Sequence, residues 1–443
     1  MTANYDILIL GGGPGGYVAA LHAARLKLKV GLIDEGGLGG TCLHRGCIPS
    51  KAWIASAELA LKIRAGAGLG INVETMSVDW SALVKRQRDV VQKLAAGTAS
   101  LLKAAGVEVI SGRGLVKSSH QIDVAGTIYE GKNLILAIGT EPVSLPSFPV
   151  DGRKIFDTNT VFGMEKLPAS LLIVGGGISG CEFASMLNAL GVQVTVAEKL
   201  SEILVNEEPI IVRTLKKILQ SRGVTFLTGT EVSGDIRQEA VLVTVGRKLA
   251  AKDCGLDAIG VNLKRGFISV NDKMETSVAG VFAIGDCVGT TLLAHGASRE
   301  GVAAVNNIMG KTDRVDYHQI PYGIFTIPEI AGIGIKEKVL KEKGIPYKVG
   351  RFSFAASGKA LCDQESEGSA MILSDGEDKI LGASIIGHHA TDMIAEIALA
   401  MRHKLSASSI GETVHSHPTY SEIVKEAALD TYGMAHHKAG PRG

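Results

Sequence analysis

The stretch Ile7-Leu8-Ile9-Leu10-Gly11-Gly12-Gly13-Pro14-Gly15-Gly16 decides the fold. Four apolar residues run into a glycine cluster, an Ala-rich, helix-like segment extends from Tyr17 to Leu28, and a second apolar run, Val30 to Ile33, stops at Asp34. Strand, glycine turn, helix, strand and acid, in that order, make the βαβ unit that holds a dinucleotide. Gly11 makes the tight turn, Gly13 lets the backbone approach a pyrophosphate, and Gly16 lets helix pack on strand, while the helix N-terminus faces the phosphate charge. Taken alone, such a turn reads equally well as a glycine-rich bend.

The unit recurs between Leu171 and Glu198. Gly175, Gly177 and Gly180 lie 164 residues after Gly11, Gly13 and Gly16, and Glu198 lies 164 after Asp34. Four landmarks in one register are not a coincidence of composition. Each acid follows its first glycine by 23 positions, where a carboxylate accepts hydrogen bonds from a ribose diol, so two dinucleotides are expected. Between the units, Trp80 to Gly106 reads as helix, and Asn133 to Gly139 as a strand leading into Thr140-Glu141-Pro142, a crossing between domains. Beyond the second unit come a strand from Val241 to Val245, then Gly246-Arg247, and a third glycine site, Val281 to Cys287, ahead of a helix from Leu293 to Met309. From about Tyr317 the chain mixes strands, such as Leu381 to Ile386, with an amphipathic helix, Asp392 to Arg402, and carries no phosphate loop.

Composition agrees with a large globular chain. Its 443 residues suggest about three domains. Apolar types make up 46% and charged types 21%, which excludes a disordered or fibrous protein, and glycine is enriched, at 55 residues. Forty-six basic against forty-five acidic residues, with no block of like charge, argue against nucleic acid. No apolar run approaches the ~18–20 residues of a spanning helix, and the first strand starts too early for a secretory signal, so a cytoplasmic location is expected.

Six cysteines in a chain of this length do not form a disulfide framework, but two are close, in Cys42-Leu43-His44-Arg45-Gly46-Cys47-Ile48-Pro49-Ser50-Lys51. Residues five apart in a continuous helix lie about 8.7 Å apart at Cα. A disulfide needs ~4.4–6.8 Å. The pair closes only if the helix is broken or starts inside the loop, and Gly46 and Pro49 suit such a break. Cys47 would then open a helix, where the dipole stabilises a thiolate. Two unpaired buried cysteines, or half of a metal site, are the other readings, and the lack of a second close pair argues against a metal.

Gly39-Gly40-Thr41-Cys42, Cys47-Ile48-Pro49-Ser50-Lys51, Gly11 to Gly16 and His417-Pro418-Thr419-Tyr420-Ser421-Glu422 together resemble the dihydrolipoamide dehydrogenases, a branch of the pyridine nucleotide disulfide oxidoreductases, over nearly the whole chain. The resemblance implies an α/β fold with two Rossmann-like dinucleotide-binding domains, for FAD and NAD, and a C-terminal α+β dimerisation domain. The expected divisions are 1–143 for FAD, 144–264 for NAD, 265–316 completing the FAD site and 317–443 for the interface. FAD would be held by Gly11, Gly13, Pro14, Gly16, Asp34, Gly40, Thr41, Lys51, Gly139, Leu293, Ala294 and His295, with Asp286 on the ribityl chain. NAD would be held by Gly175, Gly177, Ile178, Gly180, Glu198 and Gly246. Cys42 would exchange with a substrate dithiol, Cys47 would face the flavin, and Lys51 would sit beside it with Glu182 as counter-ion. The implied activity is oxidation of dihydrolipoyl groups on a carrier protein or lipoyl domain, with NAD reduced through the disulfide and FAD. The implied assembly is a homodimer sharing its active sites.

His417, with Glu422, takes the place of the family's base, and a histidine suits proton uptake from thiols of pKa about 8.5. Yet Thr419-Tyr420-Ser421-Glu422 also reads as a helix cap, and His415-Ser416-His417 as two strand residues on one face or part of a metal site. The chain departs from the family in places. Only Ser233 to Ala240 separate Glu231-Val232 from the next strand, where relatives carry a β-meander, so the NAD domain reads as trimmed. Lys248-Leu249-Ala250 stands for Arg-Pro-Asn, and Ala137-Ile138-Gly139-Thr140 for Ala-Thr-Gly-Ser. His44-Arg45 is more basic than the usual Asn-Val and would favour acidic carriers. Glu198 favours NAD over NADP, although Lys199 places a cation beside it. Another NAD(P)H-dependent disulfide reductase, or an FAD-binding subunit with reduced nicotinamide turnover, are the competing readings.

Overall fold

The computed structural model describes residues 4–234, 236–251 and 254–438. It divides into two compact units. The first comprises Met1–Trp53, Asp79–Lys166 and Val245–Val315, and the second Ile54–Val78, Leu167–Thr244 and Asp316–Gly443.

In the first unit, parallel strands Glu108–Ser111, Val30–Asp34, Asn4–Leu10 and Thr127–Leu136 lie side by side in that order. Ile7, Leu8, Ile9, Leu32, Ile33, Leu134, Ile135 and Leu136 are buried, because helices or other strands cover both faces, and this is why the strands read as unbroken apolar runs. Strand Thr127–Leu136 is longer than the apolar run suggests. Its first residues pair antiparallel with Gln121–Val124, and its last pair parallel with Val281–Ala283. It also stops before Ala137, whose N–H donates to Leu10 O, and the chain turns over Gly139 at φ +68°. Thr140–Pro142, expected as a crossing between domains, is itself a short strand paired antiparallel with Arg247–Leu249.

Helix Pro14–Arg25 starts three residues earlier than its apolar pattern, because proline is suited to the first helical position. It lies on helix Ala294–Ile308 at a contact that only glycine permits: a Cβ on Gly301 would stand 2.7 Å from Gly15 O. Helix Trp80–Ala104 is capped by the Asp79 side chain, which accepts from Ala82 N–H.

The second unit repeats the parallel pattern with strands Thr225–Thr228, Gln193–Glu198, Ser170–Val174 and Ala240–Val243 in order. The described residues between Thr228 and Ala240 hold no strand. After residue 316 the unit forms an antiparallel sheet, ordered Tyr322–Ile324, Glu329–Gly334, Ile380–Gly387, Ser369–Ser374 and Lys348–Ser353. Helices Ala390–Arg402 and Glu422–Asp430 cover it, burying Ile394, Ile397, Ile423 and Val424 against Ala331, Ile385 and Phe354. Among the described residues, no helix is long and apolar enough to cross a membrane.

Candidate active site

The end of strand Asn4–Leu10 makes a cradle. Gly11 has φ +110°, and a side chain there would stand 2.3 Å from Ala137 O. A Cβ on Gly16 would lie 1.8 Å from Gly11 O. At Gly13, the cap of helix Pro14–Arg25, an added Cβ meets nothing within 4 Å. The turn is packed below and open above, as a pyrophosphate in front of a helix N-terminus requires. Asp34 Oδ1 accepts from Gly12 N–H at 2.9 Å, so the acid is tied to the turn it serves.

The cradle opens into a cleft of about 450 Å³, within the range of ligand sites. Of the residues expected to hold FAD, Gly11, Gly13, Pro14, Asp34, Gly40, Thr41, Gly139, Asp286 and Ala294 line it. Gly16 is buried under the turn, Leu293 caps the helix that Ala294 begins, His295 is the second residue of that helix, and Lys51 lies in the second turn of helix Cys47–Ala65.

Both cysteines line the same cleft and form a disulfide. A short helix, Gly40–Arg45, ends at Gly46, and a new one, Cys47–Ala65, begins at once. This break brings the Cα atoms to 4.7 Å, where an unbroken helix would hold them about 8.7 Å apart. Gly46 stays small because a Cβ would press to 3.0 Å of Thr41 O. Pro49 occupies the third helical position, where its missing N–H is no loss. The readings of two unpaired cysteines or half a metal site are set aside by the bond. Of the basic pair between the cysteines, Arg45 lines the cleft and His44 bonds through Nε2 to Leu38 O at 3.0 Å.

Asp286 follows strand Val281–Ala283 in a tight turn whose Gly285 N–H donates to the buried Glu300. Burial pushes the Asp286 carboxyl above its ordinary range, and the Arg247 guanidinium and Thr140 hydroxyl pull it back only in part. The neighbouring Cys287 is buried, its thiol pushed up to about 12, and is therefore unreactive. Sequence reasoning missed Thr140, Asn159, Arg113 and Arg247 on the cleft wall. Two of them directly follow expected glycines, Gly139 and Gly246, which was the available signal.

The second glycine turn reproduces the first. Gly175 has φ +110°, a Cβ on Gly180 would stand 2.0 Å from Gly175 O, and Gly177 faces open space. Ile178 begins the helix and is exposed. Glu198 accepts from Gly176 N–H at 2.6 Å and from Leu200 N–H at 2.7 Å. Lys199 pairs with Glu231 at 3.0 Å. Glu182, on helix Ile178–Ala189, accepts from Phe325 N–H at 2.8 Å. Gly246 belongs to the first unit, where its carbonyl accepts from Val143 N–H.

Glu422 does two things at once. One oxygen accepts from Thr419 N–H at 2.8 Å, in the turn ahead of the helix, and the other lies 2.9 Å from His417 Nδ1. The N-cap is Ser421, with no side-chain cap, so the cap expected of Thr419 and Glu422 is not the one the helix uses. Burial alone would raise the Glu422 carboxyl, but these partners outweigh it and hold it below its ordinary range. The ring of His417 is 78% exposed, so its job is not inside its own chain's core. His415 points the other way, bonding to Glu396 at 2.8 Å with its side chain buried, and neither histidine is in a strand. Among the described residues, no group of three or more His, Cys, Asp or Glu side chains is placed to hold a metal ion.

Comparison with known proteins agrees with this geometry. Residues 5–301 match the pyridine nucleotide-disulphide oxidoreductases, and residues 320–428 match the dimerisation domain of that family. The dihydrolipoyl dehydrogenase of Chlamydia muridarum is 40% identical over 451 residues, covering 97% of each chain. That of Bacillus subtilis is 38% identical over 473 residues, covering 99% of this chain and 100% of the relative. The crystal structure of LpdA from Mycobacterium tuberculosis superposes with a TM-score of 0.89 at 27% identity, over 97% of this chain and 99% of that one. With its disulfide set in the wall of a dinucleotide cleft, the chain belongs to the pyridine nucleotide-disulphide oxidoreductases.

Proposed function

We propose that the protein oxidises protein-bound dihydrolipoyl groups to lipoyl and reduces NAD+ to NADH through the Cys42–Cys47 disulfide and FAD, the activity after which its dihydrolipoyl dehydrogenase relatives are named. The observation that carries this reading is the disulfide, placed in the cleft wall with Cys47 opening a helix. One substrate thiolate attacks Cys42 Sγ, the Cys42–Cys47 bond breaks, and Cys47 departs as a thiolate stabilised by the helix N-terminus. The second substrate thiol attacks the mixed disulfide, closing the lipoyl ring and releasing Cys42. Two electrons then reside in the cysteine pair; His417, oriented by Glu422, takes one of the two substrate thiol protons, and the other goes to the released Cys42 sulfur. FAD, held by the cradle and Asp286, supplies when bound the two-electron transfer from the cysteine dithiol to NAD+. The carrier would be a lipoyl domain or lipoyl-bearing protein.

Residues 1–143 and 265–316 would form the FAD domain, 144–264 the NAD domain and 317–443 the interface of a homodimer, in which His417 of one chain serves the disulfide of the other. The matched dimerisation domain and the exposure of His417 support this assembly. A cytoplasmic location fits an enzyme whose cysteines form one redox pair among the described residues rather than a stapling framework.

The test is NADH formation by the FAD-loaded protein with dihydrolipoamide and NAD+. Turnover lost in Cys42→Ser is expected, and a loaded wild-type protein that produces no NADH would overturn the reading. Glu198, with Lys199 already paired to Glu231, supports NAD over NADP. Equal kcat/KM for the two nucleotides would refute that preference.

A further inference from the structure

We propose that Arg247 is a positioning residue of the FAD site, clamping Thr140 and Thr158 and, through the Thr140 hydroxyl, holding Asp286 ready to accept from the flavin's ribityl chain. This rests on the reading of the cleft as the FAD site. Arg247 Nε donates to Thr140 Oγ1 at 2.7 Å, Nη2 to Thr140 O at 2.7 Å, and Nη1 to Thr158 Oγ1 at 3.3 Å. Thr140 Oγ1 in turn donates to Asp286 Oδ2 at 3.2 Å.

The direction of this relay follows from donor counting. A guanidinium has no acceptor, so Thr140 Oγ1 must accept from Arg247. The single hydroxyl proton of Thr140 is thereby committed to Asp286. That bond requires a lone pair on Oδ2, so the relay favours the carboxylate over the acid. A partly buried carboxylate needs such support: the Thr140 hydroxyl supplies the hydrogen bond and the Arg247 guanidinium supplies the opposite charge. The other charged groups facing Arg247 are Arg45, which opposes its charge, and Asp157 and Glu141, which favour it.

A second observation places the same clamp on the ligand. Asn159 Oδ1 is buried, has no hydrogen-bond partner in the structure, and belongs to a residue of the cleft wall directly after Thr158. An orphaned acceptor at a cleft wall calls for a donor from the ligand, and a polyol chain carries hydroxyl donors. Arg247 holds Thr158, and so the turn on which Asn159 stands, against the strand that ends in Pro142.

The experiment strips FAD from the purified protein and measures its rebinding by quenching of flavin fluorescence, with melting of the apo-protein as a check on folding. A charge-assisted hydrogen bond is worth ~1.5–3 kcal/mol, so Arg247→Met should weaken FAD binding by about 10- to 100-fold, and Arg247→Lys by less. In an Asp286→Asn background, the factor for Arg247→Met should shrink to what the Thr158 and Asn159 arm alone contributes, because coupled residues are non-additive. Equal factors in both backgrounds would overturn the relay. If Arg247→Met does not fold, Thr140→Val removes only the relay hydroxyl, and its effect must vanish in the Asp286→Asn background. Wild-type apo-protein that fails to rebind FAD would refute the reading of the cleft, and not the relay within it.

Discussion

Cys47 is the first residue of a 19-residue helix, so its sulfur lies at the end where unpaired backbone N–H groups gather. Cys42 is the third residue of a helix only six residues long, whose dipole is correspondingly weaker. Of the two sulfurs released by reduction, the longer helix favours the thiolate at Cys47, expected as preferential alkylation of Cys47 at pH 6–7 in the unfolded digest of a pulse-labelled sample. Preferential labelling of Cys42 by a small, uncharged reagent would contradict the dipole argument. His388 offers a second test at this scale. Burial, with the like charges of His389 and Lys62, lowers its pKa to about 4. A depressed folded-state value means that the unfolded chain binds a proton that the native chain refuses. The stability this contributes is present above about pH 6.5 and is lost as the pH falls through about 4. His388→Gln should thus flatten the fall in unfolding free energy between pH 7 and pH 4, measured by urea titration. An unchanged slope would mean that the ring is not desolvated in solution.

The two glycine turns are the same element built twice, and they can be broken separately. Gly16 and Gly180 would each drive a Cβ into the carbonyl of the first glycine, at 1.8 Å and 2.0 Å, and neither oxygen can move without opening the turn. Overpacking of this kind costs about 1–3 kcal/mol or more. Gly16→Ala should yield protein depleted of FAD, with a colourless preparation as the readout. Gly180→Ala should keep the flavin colour while KM for NAD+ rises at least tenfold. Loss of flavin from Gly180→Ala, with Gly16→Ala unaffected, would reverse the assignment of the two units.

At the scale of the whole molecule, His417 is ordered by Glu422 yet exposed, which fits the proposed assembly in which it serves the disulfide of a second chain. A general base contributes about 10²- to 10⁴-fold, and His417→Ala should lower dithiol oxidation by that order while FAD stays bound. Cys42→Ser should abolish turnover for a different reason, the loss of the exchanging sulfur. Mixing the two inactive variants should restore activity, since half of the sites in a mixed dimer join an intact disulfide to an intact histidine. Demonstrated subunit exchange with no recovery would show that each chain supplies both groups itself.

The glycine spacings, the acids 23 positions on, and the proximity of Cys42 to Cys47 could all be read along the chain, because a βαβ turn and a helix start are set by residues within a few turns of one another. The strands around Ile9 and Leu172 were legible because burial on both faces leaves a continuous apolar run. Other features were decided only by tertiary contact. Whether Glu422 caps its helix or orients His417 had no answer in the sequence; in the fold its two oxygens tie the Thr419 turn to the His417 ring, while the helix starts at Glu422 with no side-chain cap. Thr127–Leu136 runs past its apolar core because its polar half finds a different neighbour from its buried half. Arg247 meets Thr140 across 107 residues, through a pairing of two three-residue strands too short to show any periodicity. Local pattern specifies the turns that can hold a nucleotide, whereas a wall built from distant segments exists only once burial and hydrogen bonding have brought them together.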